Sequence, residues 1–291
     1  MRDARRRLSL LSKTMPAKRL LTSPTHSHAA DLPGPVDLSS DLADALAPIH
    51  AAAVDSTSLI ASRHPITLSG RDYELSKFLL LGQRGGGAPI RLGLFAGFEA
   101  GNLESIRATA DLLLQLKASP ALTRDYALLA YPVVNIRGFT EEATALSDFE
   151  RRFARDSADQ DVQFFQGELR RWAFNGILSI RADLNAHGFH ATVRSELLAN
   201  EVVIPALAVA AGALPLAAQA VKVRPDDRYA RAADHAHGRL IPPADVRPYP
   251  FEVELFAPRS RSSDDLADGI FLAVTEILRH YRALVAHAPD L

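Results

Sequence analysis

Apolar positions along the chain alternate between helical and strand period. Over residues 41–53, Leu42, Leu46 and Ile49 recur at helical spacing behind Ser39 and Ser40, either of which can cap a helix. Strands are predicted at 66–69 and 73–81, joined as a hairpin by the tight segment Gly70-Arg71-Asp72. Gly85-Gly86-Gly87 reads as a second turn. It is no phosphate loop, because no Lys-Ser/Thr pair follows and a strand comes next rather than a helix. The short apolar run 90–95 predicts a strand, and 103–116 a helix with Ile106, Ala110, Leu113 and Leu116 on one face. A strand at 126–134, a helix at 159–172, a buried strand at 176–180 and a helix at 202–211 follow. A strand at 251–255 and a long amphipathic helix at 263–285 complete the series. Strands alternating with helices imply an α/β fold: a mainly parallel, mixed sheet with helices on both faces, in three layers. In such sheets, sites lie at the carboxyl ends of the strands. No internal repeat is present.

Composition narrows this picture. The chain has 291 residues, of which 47% are hydrophobic, enough for one large core. The expected division is a basic tail and linker over 1–35 and a single α/β domain over 36–291. The tail carries Arg2, Arg5, Arg6, Arg7, Lys13, Lys18 and Arg19 against Asp3. Only Leu8, Leu10 and Leu11 follow the first charges, too little apolar sequence for a secretory signal. A weak transit-peptide character is outweighed by the reading as a simple tail, or as an extension ahead of a start at Met15. Pro24, Pro33 and Gly34 mark the linker. The formal net charge of −1 gives no field for nucleic acid or an anionic membrane, so neither is an expected partner. No apolar run approaches the roughly 20 residues that cross a bilayer. Residues 202–220 are apolar, but Pro205 and Pro215 interrupt them, and they read as a buried helix and its connection. The absence of cysteine excludes disulfides, thiolate metal sites and a cysteine nucleophile. It fits a reducing compartment, and a cytoplasmic location is expected.

The candidate chemistry lies at strand ends. Ala96-Gly97-Phe98-Glu99-Ala100-Gly101-Asn102 follows one strand and precedes a helix. Pro132-Val133-Val134-Asn135-Ile136-Arg137-Gly138-Phe139 ends the next, and Asp148-Phe149-Glu150-Arg151-Arg152-Phe153 comes after it. The strand 176–180 runs on into Arg181, Ala182 and Asp183, and Pro250-Phe251-Glu252-Val253-Glu254-Leu255-Phe256 forms the last strand. In this order the segments resemble the zinc carboxypeptidases, and most of all their succinylglutamate desuccinylase and aspartoacylase-like branch. The matching family segments are Ala-Gly-Ile-His-Gly-Asp-Glu, Pro-Val-x-Asn-Pro-x-Gly-Phe and Asp-Leu-Asn-Arg-x-Phe, followed by a strand ending in His and a strand bearing the catalytic Glu. The resemblance covers about residues 65–285.

An intact member, by that resemblance, hydrolyses an amide bond beside a free carboxylate. It uses zinc-bound water and a Glu base, with zinc on a His and a Glu three residues apart plus a later His. The metal-equivalent positions here are Glu99, Asn102 and Arg181. Asn is a poor zinc ligand, and a guanidinium has no lone pair to give. The base position falls on Phe256 if the last strand aligns without a gap, or on Glu254, the candidate catalytic residue, if it slips by two; both face the same way, so strand period leaves the choice open. Arg151 matches the family arginine that grips a substrate carboxylate. Asn135 is the second candidate for substrate binding, against the reading that it organises its own turn. Glu99 and Arg181, on adjacent strand ends, are expected to pair where a metal would sit, or else to be solvated separately. His187 and His190, near Asp183 and Asn185, and His235 with His237 offer another conceivable zinc set, but both pairs lie in loop-like stretches. No Gly-x-Ser-x-Gly elbow supports a serine hydrolase.

Three functional expectations follow. The first is a relative that has lost metal and catalysis, with no cofactor, keeping a cleft for a small carboxylate or a peptide C-terminus. The second is a zinc-dependent amidohydrolase or carboxypeptidase with atypical ligands, drawn from Glu99, Asn102, Glu254 and a nearby His. The third is a partner-binding or structural protein whose cleft is filled by Phe98, Phe256 and Leu184.

Overall fold

The computed structural model describes residues 38–68, 70–139, 158–172, 174–183, 185–224, 250–258 and 262–287. The predicted tail, the 148–153 motif with Arg151, Leu184, and the His235/His237 pair lie outside these residues.

Eight strands form one mixed sheet in the order β1-β2-β4-β3-β5-β8-β6-β7. β1 (Leu59–Leu68) and β2 (Arg71–Leu81) are the predicted hairpin, closing at Leu68 opposite Arg71 with Gly70 at φ 77°. β1 begins well before the predicted residue 66. Its first half alternates poorly because Ser62, Arg63, His64 and Pro65 are all exposed, and Pro65 is tolerated because β1 is the sheet edge. β3 (Ile90–Phe95) matches its predicted span, and β4 (Tyr126–Tyr131) stops just ahead of Pro132. β5 (Gly176–Asp183) and β8 (Phe251–Pro258) each run three residues past prediction. The centre, β4-β3-β5-β8, is parallel throughout, with antiparallel neighbours outside it.

Two strands are additions to the predicted set. β6 (Phe189–Val193) buries Phe189, Ala191 and Val193 and pairs antiparallel with β8, and β7 (Leu216–Val223) pairs parallel with β6. His190 is therefore a strand residue and not a loop residue. Both strands are short or only half buried, so the turn-forming residues around them dominate the local signal.

Helices α1 (Leu38–Ala53), α2 (Glu104–Ala118), α3 (Gln160–Trp172), α4 (Ile204–Ala210) and α5 (Ser263–His287) are described. Ser39 and Ser40 fall inside α1 instead of capping it. The turn ahead of Pro205, Ala199–Val203, is π-helical, and Ile204 N–H bonds to the Ala199 carbonyl. Alternation along the strands sends β-face residues in opposite directions. On one face Phe78 packs against His50 of α1, the Tyr126 hydroxyl donates to the Leu278 carbonyl of α5 at 2.7 Å, and Phe251 meets Tyr281. On the other face α3 lays Phe165 against Phe95 and Tyr131. Among the described residues no helix is long and apolar enough to cross a membrane.

α3 is pinned by charge as well as by rings. Glu168 Oε2 accepts from Lys77 Nζ of β2 at 2.7 Å, from the Tyr131 hydroxyl of β4 at 2.6 Å and from Trp172 Nε1 at 2.9 Å. Burial pushes the Glu168 carboxyl up, but the hydrogen bonds from Lys77, Tyr131 and Trp172 outweigh it, and the net direction is down from the ordinary value of 4.5. A depressed carboxyl contributes stability that is present above its ordinary value and lost as pH falls through its folded-state value. The expected outcome is a melting temperature that drops on acidification below pH 4.5, with a shallower drop in Glu168→Gln. Thermal melts of both proteins across that window check it, and equal slopes would refute the assignment.

Candidate functional site

The site is assembled where β3, β5 and β8 end. Beyond Phe95 the chain stays paired to the segment after β4: Ala96 N–H bonds to the Tyr131 carbonyl, Val134 N–H to that of Ala96, and Asn135 N–H to that of Gly97. Gly97 then turns the chain at φ 67°. A Cβ there would lie 2.6 Å from the Pro132 carbonyl oxygen, so only glycine allows the two segments this approach. The turn delivers Phe98 and Glu99 over the end of β5.

There Arg181 Nε donates to Glu99 Oε1 at 3.1 Å. The side chains are 2% and 12% exposed, so the pairing expected of these two residues is present, and it is buried. The guanidinium carbon lies 4.8 Å from the Phe98 ring centre and 5.7 Å from that of Phe256, so the cation is bracketed by two aromatic rings. The imidazole of His190 stacks on Phe256 at 4.8 Å and 6°. His190 Nδ1 donates to the Gly188 carbonyl, and burial pushes its imidazole below the ordinary value. Burial pushes the Glu99 carboxyl up, against the opposing pull of Arg181.

Sheet register explains the layering. Arg181 on β5 is level with Phe256 on β8, which is level with His190 on β6. Glu254 lies two residues earlier, level with Ser179 and Thr192, and all three are buried. Phe256, and not Glu254, is thus the β8 residue beside Arg181.

The remaining candidates serve the backbone. Asn102 is buried, and its Oδ1 accepts the Glu104 N–H in the first turn of α2. Asn135 is fully buried, with Nδ2 donating to the Phe98 carbonyl and Oδ1 accepting from Gly138 N–H. Its amide holds the turn, in keeping with the reading that it organises its own turn. Arg137 of the same turn pairs with Asp159 at 2.9 Å, tying the turn to the start of α3. His187 is exposed, separate from the buried stack around His190.

The resemblance to the zinc carboxypeptidases implies a zinc ion at positions 99, 102 and 181, and the side chains there can be tested as donors. Glu99 Oε2 is buried with no hydrogen-bond partner among the described residues and is one oxygen available to a cation. The orphaned atom of Asn102 is Nδ2, a donor, which a cation cannot use. Arg181 presents a positive charge. Zinc sites need three protein ligands, and this set offers one. Among the described residues no cluster of three or more His, Asp or Glu side chains could hold a metal. The residues present do not fit the ion.

No family model and no curated protein matches the sequence. Solved structures do. A metallo-carboxypeptidase from Burkholderia cenocepacia superposes with a TM-score of 0.62 at 13% identity, covering 83% of this chain and 68% of that one. A Pseudomonas aeruginosa metallo-carboxypeptidase in complex with (2-guanidinoethylmercapto)succinic acid gives 0.54 at 14%, covering 80% and 68%. Bovine thrombin-activatable fibrinolysis inhibitor, in complex with tick carboxypeptidase inhibitor, gives 0.54 at 13%, covering 84% and 97%. The chain has the metallocarboxypeptidase fold.

Sequence reasoning placed Glu99 beside Arg181 and named Phe98 and Phe256 as possible fillers. It missed His190 as the outer layer. The alternation of Phe189, Ala191 and Val193, with Thr192 between, was the signal for the strand that carries it.

A buried charge stripped of its partner is costly. Glu99→Ala is expected to destabilise the protein by about 3–5 kcal/mol. The double variant Glu99→Leu/Arg181→Met should lose less than either single change, because it removes both charges. Denaturant unfolding of the set measures this; a cost below about 0.5 kcal/mol for Glu99→Ala would mean a solvated residue.

Proposed function

We propose that this chain is a metallocarboxypeptidase-like protein that has lost zinc and hydrolysis, with a buried ion pair in place of the metal. On the order of its motifs we assign it to the succinylglutamate desuccinylase and aspartoacylase-like branch. The observation that carries the reading is the Glu99–Arg181 pair itself, enclosed by Phe98 and Phe256. A cation held between a carboxylate and two ring faces takes up the charge and the space that zinc and its water would need.

The aromatic rings bear on what the cleft does. With Phe98, Phe256 and the 2% exposed Arg181 packed together, this part of the cleft is filled by the protein's own side chains. That favours a protein acting through its surface over one that binds a small carboxylate at residue 181. Carboxylate binding through Arg151 is a separate proposal, for which the described residues supply no contact.

Metal analysis of the purified protein tests the reading. The expected zinc content is well below one per chain, unchanged in Glu99→Ala, with no turnover of acyl-amino acids or C-terminal dipeptides on adding zinc. Stoichiometric zinc that disappears in Glu99→Ala, or zinc-dependent turnover of either substrate class, would make the protein an ordinary hydrolase with unusual ligands.

A further inference from the structure

A cavity lies away from the strand ends, between the edge strand β1 and helix α3, with a volume of about 700 Å³. That is within the usual range for small-molecule sites. Gly167 lines the cavity from mid-helix, and a Cβ built on it meets nothing within 4 Å. Glycine is a poor choice for a helix interior, and neither a tight contact nor a positive φ calls for it here. What its missing side chain leaves is room.

The walls are chemically distinct. On one side the imidazole of His64 on the strand stacks on Phe164 of the helix at 4.5 Å and 26°. Charge is contributed by Arg63, Lys77 and Arg171 against one carboxylate, Glu168, with Glu74 answering Arg63 at the rim. Glu168 is itself neutralised by Lys77. An ammonium carries three donors, and the bond to Glu168 uses one of them. With Arg63 answered by Glu74 and Lys77 by Glu168, Arg171 supplies the net positive charge beside the His64–Phe164 pair.

The geometry points to a binding site for a small aromatic carboxylate, its ring against His64 and Phe164 and its anionic end toward Lys77 and Arg171. This site shares no residue with the Glu99–Arg181 pair and stands whether or not the proposed loss of hydrolysis is correct.

The chain's single tryptophan reports on it. Trp172 bonds to Glu168 and lies 5.6 Å from both Lys77 Nζ and the Arg171 guanidinium carbon. Titrating the full chain with phenylacetate at low salt should change Trp172 fluorescence saturably, as for one site with Kd below about 1 mM. Gly167→Leu, which projects a side chain into the cavity, should weaken this at least tenfold, by the area and volume it removes. Arg171→Gln should weaken it too, and it keeps the test open if Gly167→Leu fails to fold by circular dichroism. The uncharged 2-phenylethanol should give no saturable change. The site is overturned by the absence of a saturable response in the wild type up to about 10 mM. It is equally overturned by an undiminished response in folded variants, or by an equal response to 2-phenylethanol.

Discussion

A guanidinium that is 2% exposed has to have a carboxylate beside it, and the end of β5 is arranged around that requirement. Arg181 is carried there by a buried central strand. Its partner comes from another strand, through the one turn in which a glycine lets the chain pass close to the carbonyl of Pro132. Phe98 and Phe256 exclude water from the pair, which strengthens its attraction and also raises the cost of leaving either charge alone. Asn102 and Asn135, which stand in motif positions, are drawn into the same task, one securing the first turn of α2 and the other the turn facing Phe98.

How far such a site could be read in the sequence depends on the range of the interaction. β3 is legible to the residue, since its apolar run is bounded by turn signals on both sides. The Glu99–Arg181 pair is legible because consecutive motifs put both residues at the ends of strands that then prove adjacent. Phe256 against Glu254 could not be decided from the pattern. A slip of two keeps every side chain on its face, and only the register with β5 and β6 separates them. The Lys77–Glu168 bond joins residues 91 positions apart, on a strand and a helix that share no local motif. Nothing in the neighbourhood of either residue announces the other.

Structures alike at 13–14% identity share a fold, and a fold is a scaffold on which different groups can be mounted. The same scaffold presents two unlike features here: a closed, charge-neutral pair at the ends of the central strands, and an open recess at the sheet edge between β1 and α3.

The closed pair also constrains the history of the two positions. Replacing Arg181 by histidine strands the Glu99 carboxylate among apolar rings, and changing Glu99 first strands the guanidinium. Each single substitution leaves a less stable protein. Stability is therefore kept only when residues 99 and 181 are changed together, so each position fixes what the other can become.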